Sequence, residues 1–426
     1  MKICIIAYKF GTEKEIGEHL GTYHWFIEFT RRLVKEGHEV VVVAPWISLF
    51  KKGSLEVNGV KIIRYWPKFW YRFLAFPINK IWRAIYIYAT KKNVLKISQK
   101  IKPDIFLVWQ SRETGYAISQ IKEKLSAPVL FRQIGAWAWH LNRSAKEVYE
   151  KRPWYQILKK AGLDKMANII LEYLLDKKNQ RKFATAIYKK LDQIIFVSQI
   201  ATSEGLALNL EKEKIVVQPV TIETELFYPL EDKQKIRQEL GLRGDKILLF
   251  VGRLNFAEKG LGYLLEALKI AKEKISDLQL VIIGAGGEQE RMLKMIKDLL
   301  LENNVQWVGK KPFNDLIKYF NAADVFIMSS IWMETFGQVT IEAMACGVPV
   351  IGFKAGATPE INLHEITGYN VESKNSFLMA EAIVKIFNDE EKRKKMGEAA
   401  RQRVEKNYTF EVLIKDFINL VNQIKK

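Results

Sequence analysis

Between residues 246 and 351 short apolar runs alternate with amphipathic stretches, a pattern that few architectures accept. Strand-like runs at 246–251, 279–283, 305–308, 324–328 and 348–351 are separated by segments with helical spacing of apolar residues at 261–274, 288–301 and 313–321. Repeated βα units predict a parallel sheet covered by helices, with ligands taken at the carboxyl ends of its strands. The first half reads the same way, through 2–7, 39–44, 60–64, 104–109, 129–132 and 193–198. An α/β chain of two doubly wound, Rossmann-like domains is therefore expected. The chain's 426 residues are enough for both. The domains should meet near 218–229, where Pro219 and Pro229 bracket a stretch without period. We expect a first domain over 1–222, a second over 223–407, and a last helix over 408–426 whose apolar residues, Phe410, Leu413, Ile414, Phe417 and Val421 among them, need a partner.

Charge divides the halves. Residues 1–225 hold 38 Lys and Arg against 21 Asp and Glu, whereas 226–426 hold 29 against 27. Two windows account for the excess: residues 51–100 carry 12 bases and one acid, Glu56, and residues 141–190 carry 13 bases and 5 acids. The first interleaves Arg64, Lys68, Arg72, Lys80 and Arg83 with Tyr65, Trp66, Trp70, Phe73, Trp82, Tyr86 and Tyr88. Rings at headgroup level and lysines near an anionic surface favour membrane docking, and we expect an anionic membrane surface as a partner of both windows. A solvated basic face over ordinary core aromatics is the competing reading. Nucleic acid is not expected, since no recognition signature of that class accompanies the bases.

Two cysteines, Cys4 and Cys346, cannot build a disulfide framework and have no neighbours at metal-ligand spacing. The amino-terminal apolar run is too short for a signal peptide, and no run of eighteen apolar residues occurs. A cytoplasmic protein, peripheral on the inner face of the cell membrane, is expected.

The chemistry concentrates in the second half. In the segment from Ser329 to Val350, Thr335 and Gln338 have capping-box spacing, predicting a helix that starts just after Thr335 and ends at Gly347. The amides of Phe336, Gly337 and Gln338 would then face an anion, with no side chain at Gly337 to block it. Glu334 precedes such a helix and Glu342 lies seven residues into it, roughly 10 Å along the axis at about 1.5 Å per residue. That span suits one carboxylate near a sugar and the other near a ribose. The run from Val251 to Gly260 brings Arg253 out at a strand's carboxyl edge and places Lys259-Gly260 at the opening of the next helix. Two cations there could stabilise a diphosphate that gains charge as it leaves. Gly284-Ala285-Gly286-Gly287 has part of a dinucleotide fingerprint, but Gln289 stands where its last glycine belongs. It reads as a tight turn near the nucleotide, with an NAD(P)-dependent oxidoreductase as the alternative.

Taken in order, Gly252-Arg253-Leu254, Lys259-Gly260, Glu334 with Glu342, Ala355-Gly356-Ala357-Thr358-Pro359-Glu360 and Gly368-Tyr369-Asn370-Val371 resemble the family 4 retaining glycosyltransferases of the GT-B fold. The resemblance implies two Rossmann-like domains facing a deep cleft, the last helix crossing back to the first. It implies transfer of a sugar from a UDP- or GDP-linked donor to a lipid-linked or cell-surface glycan acceptor. Anomeric configuration would be retained, by front-face attack, with neither metal nor other cofactor. Arg253 and Lys259 would grip the diphosphate and Glu342 the ribose hydroxyls. Glu334, with the amides of Phe336, Gly337 and Gln338, would hold sugar and phosphate, with Gly252 beside them and the Gly309 turn flanking the base. In the first domain Gly21 would lie in a glycine-rich loop after the first strand, although Leu20 stands where the first of two glycines is usual. Gly135, Trp137 and His140 would lie on the acceptor side. Ile134 replaces the histidine usual there, so no histidine, His19, His24 and His140 included, is given a catalytic role. A membrane-surface binding protein with an inert transferase-like domain is the remaining alternative.

Overall fold

The computed structural model describes residues 1–16, 20–48, 50–67, 78–135, 160–163 and 177–425. They fall into two compact units, one of residues 1–197, 201–217 and 418–426, the other of residues 198–200 and 218–417. The division thus lies a few residues before the expected 222/223, and it assigns the last helix, Phe410–Ile424, partly to each unit.

The first unit is built on eight strands: β1 (Lys2–Ala7), β2 (Glu39–Pro45), β3 (Glu56–Val57), β4 (Val60–Tyr65), β5 (Ile105–Trp109), β6 (Val129–Gln133), β7 (Gln193–Phe196) and β8 (Ile215–Val217). They are ordered β3-β4-β2-β1-β5-β6-β7-β8. All neighbours are parallel except the β3/β4 hairpin. Ile3, Cys4, Ile5, Ile6 and Ala7 are all buried, as are the five residues of β5 and of β6. The continuous apolar runs of β1 and β5 are what a parallel sheet covered on both faces requires, while β6 also buries Arg132 and Gln133. Arg132, on β6, is stacked over Trp25 at 4.5 Å, and burial pushes its guanidinium down to about 9.

The second unit has six strands: β9 (Lys246–Val251), β10 (Leu278–Ile283), β11 (Val305–Trp307), β12 (Val325–Met328), β13 (Val350–Phe353) and β14 (Gly368–Val371). All are parallel, in the order β11-β10-β9-β12-β13-β14. The order reverses between β9 and β12, and the crevice beyond their carboxyl ends is where such a sheet binds ligands. Below the same two strands, Asp324 is buried and accepts from Arg237 (2.6 Å), Lys233 (3.2 Å) and the amide of Ile247 (2.8 Å). Arg237 also donates to the carbonyls of Ala322 and Asp245. This buried pair ties the starts of β9 and β12 together, so their far ends are held in register.

Three sequence expectations are corrected. The helix after β12 is Gln338–Ala345, entered from Gly337 in the left-handed conformation (φ 90°) with no side-chain cap, so Thr335 and Gln338 form no capping box. A left-handed entry needs glycine, not a hydroxyl. Lys259 does not open a helix: it ends a short one, Phe256–Lys259, and Gly260 (φ 62°) turns the chain into Leu261–Lys272. A Cβ at Gly260 would collide with the Ser329 carbonyl. Gly21 is the second residue of the helix Leu20–Lys35 and not part of a loop.

Candidate active site

The site is built at the reversal between β9 and β12. Beyond β9 the chain passes through Gly252 and Arg253 to Lys259; beyond β12 it passes through Ser329 and Ser330 to Glu334. The Lys259 ammonium forms an ion pair with the Glu334 carboxylate, and both side chains are about four-fifths buried. Ser330 Oγ donates to Glu334 Oε1 at 3.0 Å. The backbone between them is stitched as well: the carbonyl of Glu258 accepts from the amides of Ile331 (3.0 Å) and Trp332 (3.2 Å), and that of Lys259 accepts from Ser329 Oγ (2.8 Å). A third loop, after β13, supports Glu334 from behind, through Ala357 N–H to the Glu334 carbonyl at 2.9 Å. Gly356 packs so close to the Glu334 backbone that a Cβ would overlap it.

Arg253 projects further into solvent, 73% exposed, with its guanidinium 2.9 Å from Glu258 Oε2. Each of the two expected diphosphate-binding cations therefore already has a carboxylate partner. A polyanion arriving here would exchange one anionic partner for another while the cations stay in place, so little reorganisation is needed.

Next to Glu334 the amides of Phe336 and Gly337 donate to no group among the described residues. The Phe336 ring is buried edge-on against Tyr408 at 5.7 Å, so only its backbone is available for binding. Thr340 Oγ1, on the first turn of the helix, is buried without a partner. It lies 3.4 Å from where a Cβ on Gly337 would stand. A buried hydroxyl left unsatisfied beside two open amides at a helix start is a polar pocket suited to an anion. Glu342 is one turn deeper and only 4% exposed. Burial pushes its carboxyl up to about 7, against a hydrogen bond from the Gln338 side chain that favours ionisation.

Gly252, Gly284 and Gly309 follow the ends of the adjacent strands β9, β10 and β11. Gly252 N–H donates to the Ile283 carbonyl (3.0 Å), and Gly284 N–H to the Gly309 carbonyl (2.9 Å). Trp307 Nε1 donates to the Gly284 carbonyl at 3.0 Å. Three residues without side chains thus line one stretch of the carboxyl edge. The glycines from Gly284 to Gly287 follow the second strand of this unit and not its first, which is where a dinucleotide fingerprint sits.

The structure therefore brings Gly252, Arg253, Lys259, Glu334, Phe336, Gly337, Gln338 and Glu342 to neighbouring loops and helix ends of one unit, with Gly309 further along the edge. Ser330, Thr340 and Glu258 were missed by sequence reasoning. Their signal was only positional, two hydroxyls and an acid beside residues already singled out. In the first unit, Gly135 follows β6 and its carbonyl accepts from Gln133 Nε2 at 3.2 Å, while Gln133 is itself held by Tyr188 and Glu204. His24 lies half-buried on the helix Leu20–Lys35. Trp137, His140 and His19 lie outside the described residues, as do most of 141–190. Among the described residues no cluster of three His, Cys, Asp or Glu could hold a metal ion.

Residues 232–403 match the family described as glycosyl transferases group 1. The N-acetyl-alpha-D-glucosaminyl L-malate synthase of Bacillus anthracis is 29% identical over 52% of this chain and 58% of its own length. A GDP-mannose-dependent monoacylated alpha-(1-6)-phosphatidylinositol monomannoside mannosyltransferase of Corynebacterium glutamicum is 28% identical over 48% of this chain and 55% of its own length. The chain thus spans little more than half the length of these curated relatives. The crystal structure of Anabaena Alr3699/HepE in complex with UDP superposes with a TM-score of 0.73 at 17% identity, covering 99% of this chain and 100% of that one. Likeness at that identity speaks for the fold, the α/β class of GT-B glycosyltransferases.

Proposed function

From the match of residues 232–403 to the glycosyl transferases group 1, we propose that this protein is a retaining glycosyltransferase. It moves a sugar from a nucleotide-diphosphate donor to a lipid-linked or glycan acceptor without a metal. The observation that carries this reading is the Lys259–Glu334 pair, braced by Ser330, beside the open helix start at Phe336 and Gly337. UDP in the Anabaena neighbour and GDP-mannose in the name of the Corynebacterium relative support a nucleotide sugar as donor.

In this mechanism the anomeric carbon–oxygen bond breaks with its electron pair going to the diphosphate. The acceptor oxygen bonds to the same face of that carbon, and its proton passes to the leaving phosphate oxygen. Lys259 and Arg253 meet the charge that develops on the diphosphate, and the amides near Gly337 meet the distal phosphate. Glu334 orients the ammonium and faces the sugar. Glu342 lies where a ribose would be reached, and its buried carboxyl accepts hydroxyl donors best once ionised. The acceptor binds to the first unit, on the cytoplasmic side of the membrane.

The test is a thermal-shift screen with UDP- and GDP-sugars followed by donor-hydrolysis and transfer assays, with and without chelator. A donor at a hundred times its dissociation constant stabilises by about 2.7 kcal/mol. Expected are a shift with one donor class, activity indifferent to chelator, and loss of turnover in Glu334→Ala and Lys259→Ala. Wild-type rates in both variants would reject the site.

A further inference from the structure

The basic, aromatic window at 51–100 separates into two populations. Tyr65 and Tyr86 are buried, their hydroxyls bonded to Thr90 (2.9 Å) and Thr114 (2.8 Å). Arg64 is buried too, donating to the carbonyls of Ser54 and Pro45. These residues hold the fold and are not available to a surface. What remains outward is sharply defined.

The helix Ile78–Ile101 contains six Lys and Arg and no acid over 24 residues. Its outer face begins apolar, with Ile81 58% and Tyr88 62% exposed two turns apart, and becomes cationic at Lys92, Lys96 and Lys100. Beside its start, Trp66 is 46% exposed and packs edge-on against Trp82 at 5.6 Å. The loop after β2 is pinned to the end of β4 by Trp46 N–H to the Tyr65 carbonyl (2.9 Å) and Arg64 Nε to Ser54 (3.1 Å). Its turn, held by Ser48 Oγ, lifts Phe50 almost wholly into solvent (93%) next to the exposed Lys51 and Lys52. Phe50, Trp66 and the first turn of the helix thus share the carboxyl edge of the first sheet, on its β4 side.

We infer that Phe50, Trp66, Ile81 and Tyr88, with the lysines around them, form a docking surface for an anionic lipid bilayer. Exposed apolar side chains ringed by lysine are what a headgroup layer takes up, the rings and the aliphatic chain entering and the ammonium groups staying at the phosphates. Among the described residues of this window the exposed cations are lysines, point charges that need no fixed geometry, while Arg64 is turned inward. Nucleic acid would gain nothing from Ile81. A second copy would set lysine against lysine, because a two-fold contact pairs a surface with itself. No described helix is long and apolar enough to cross a bilayer, so the contact is with its surface. The inference sharpens the proposed lipid-side acceptor reading, since it brings the bilayer to the edge at which the first sheet takes ligands.

The experiment is sedimentation of the full chain with vesicles of phosphatidylcholine alone or with three parts in ten phosphatidylglycerol. Binding to the anionic vesicles, weakened by salt and absent with phosphatidylcholine alone, is expected. Partitioning should fall at least tenfold in a Phe50→Ser/Ile81→Ser/Tyr88→Ser variant and in a Lys51→Glu/Lys52→Glu/Lys92→Glu variant. Unchanged binding in either, or none by the parent, would overturn the proposal. So would tighter retention of a short RNA, lost only in the charge variant, or a dimer dissolved by the serine variant. The nucleotide-sugar thermal shift, measured in all three proteins, shows that each is folded. It also separates failure of docking from failure of the transferase reading.

Discussion

Cations are used in opposite ways in the two units. In the second unit Lys259, Arg253 and, at the far edge, Arg237 each face a carboxylate, in a fixed hydrogen-bond frame. The helix Ile78–Ile101 of the first unit carries no acid, and its Lys92, Lys96 and Lys100 are exposed. The first arrangement buys orientation: a paired, partly buried cation is aimed before a ligand arrives. The second presents a one-signed exposed row, which attracts an extended anionic surface but selects no geometry. Lysine alone therefore says little; its partners and burial decide what it does.

The comparison can be broken most severely at the buried pair. Asp324→Asn should destabilise the second unit by roughly 3–5 kcal/mol, because Arg237 loses its charge partner inside the protein. Urea unfolding should show a lower midpoint at unchanged slope. Lys259→Ala tests a partly buried pair whose job is chemical. Turnover should fall about 10²–10³-fold, or about 3–4 kcal/mol in the barrier, with stability nearly unchanged. A stability loss matching the activity loss would make the pair structural.

Glu342 contributes through pH. Its carboxyl is raised from 4.5 to about 7 by burial, so the folded protein holds a proton that the unfolded chain releases near 4.5. Its contribution favours folding most below the unfolded value. It is lost as pH rises through the window between the two and stays lost above about 7. Relative to the parent, Glu342→Gln should therefore gain stability across that window, by on the order of 3 kcal/mol at most. Thermal melts of both proteins from pH 5 to 8 would show it, and parallel curves would refute it. The smallest effect is expected at Lys92→Glu, which should change stability by less than about 0.5 kcal/mol. A larger loss would mean that this lysine supports the fold.

Legibility followed the same line. The strands could be read because a sheet covered on both faces demands unbroken apolar runs such as those of β1 and β5, and no partner is needed to see them. Short edge strands such as Glu56–Val57 and Ile215–Val217 were not foreseen, since two or three half-exposed residues carry no period. At the site, Arg253, Lys259 and Glu334 were legible as charged residues following predicted strands. Their pairing was not: Glu258 could equally have taken Lys259, and nothing local marks Ser330 as the brace of Glu334. The capping box from Thr335 failed because the left-handed turn at Gly337 overrode a side-chain spacing that is correct in isolation.

What the chain determined by itself was periodicity and inventory: βα alternation, two units, the charge asymmetry, and the residue types able to handle a diphosphate. These depend on neighbours in sequence, where backbone geometry alone sets which side chains share a face. Only the tertiary structure decided that β9 and β12 lie side by side at the reversal of strand order, that Lys259 meets Glu334 across 75 residues of chain, and that Arg64 and Tyr86 belong to the core while Phe50 and Ile81 do not. Burial and pairing are properties of packing between distant segments, so they become definite only when those segments meet.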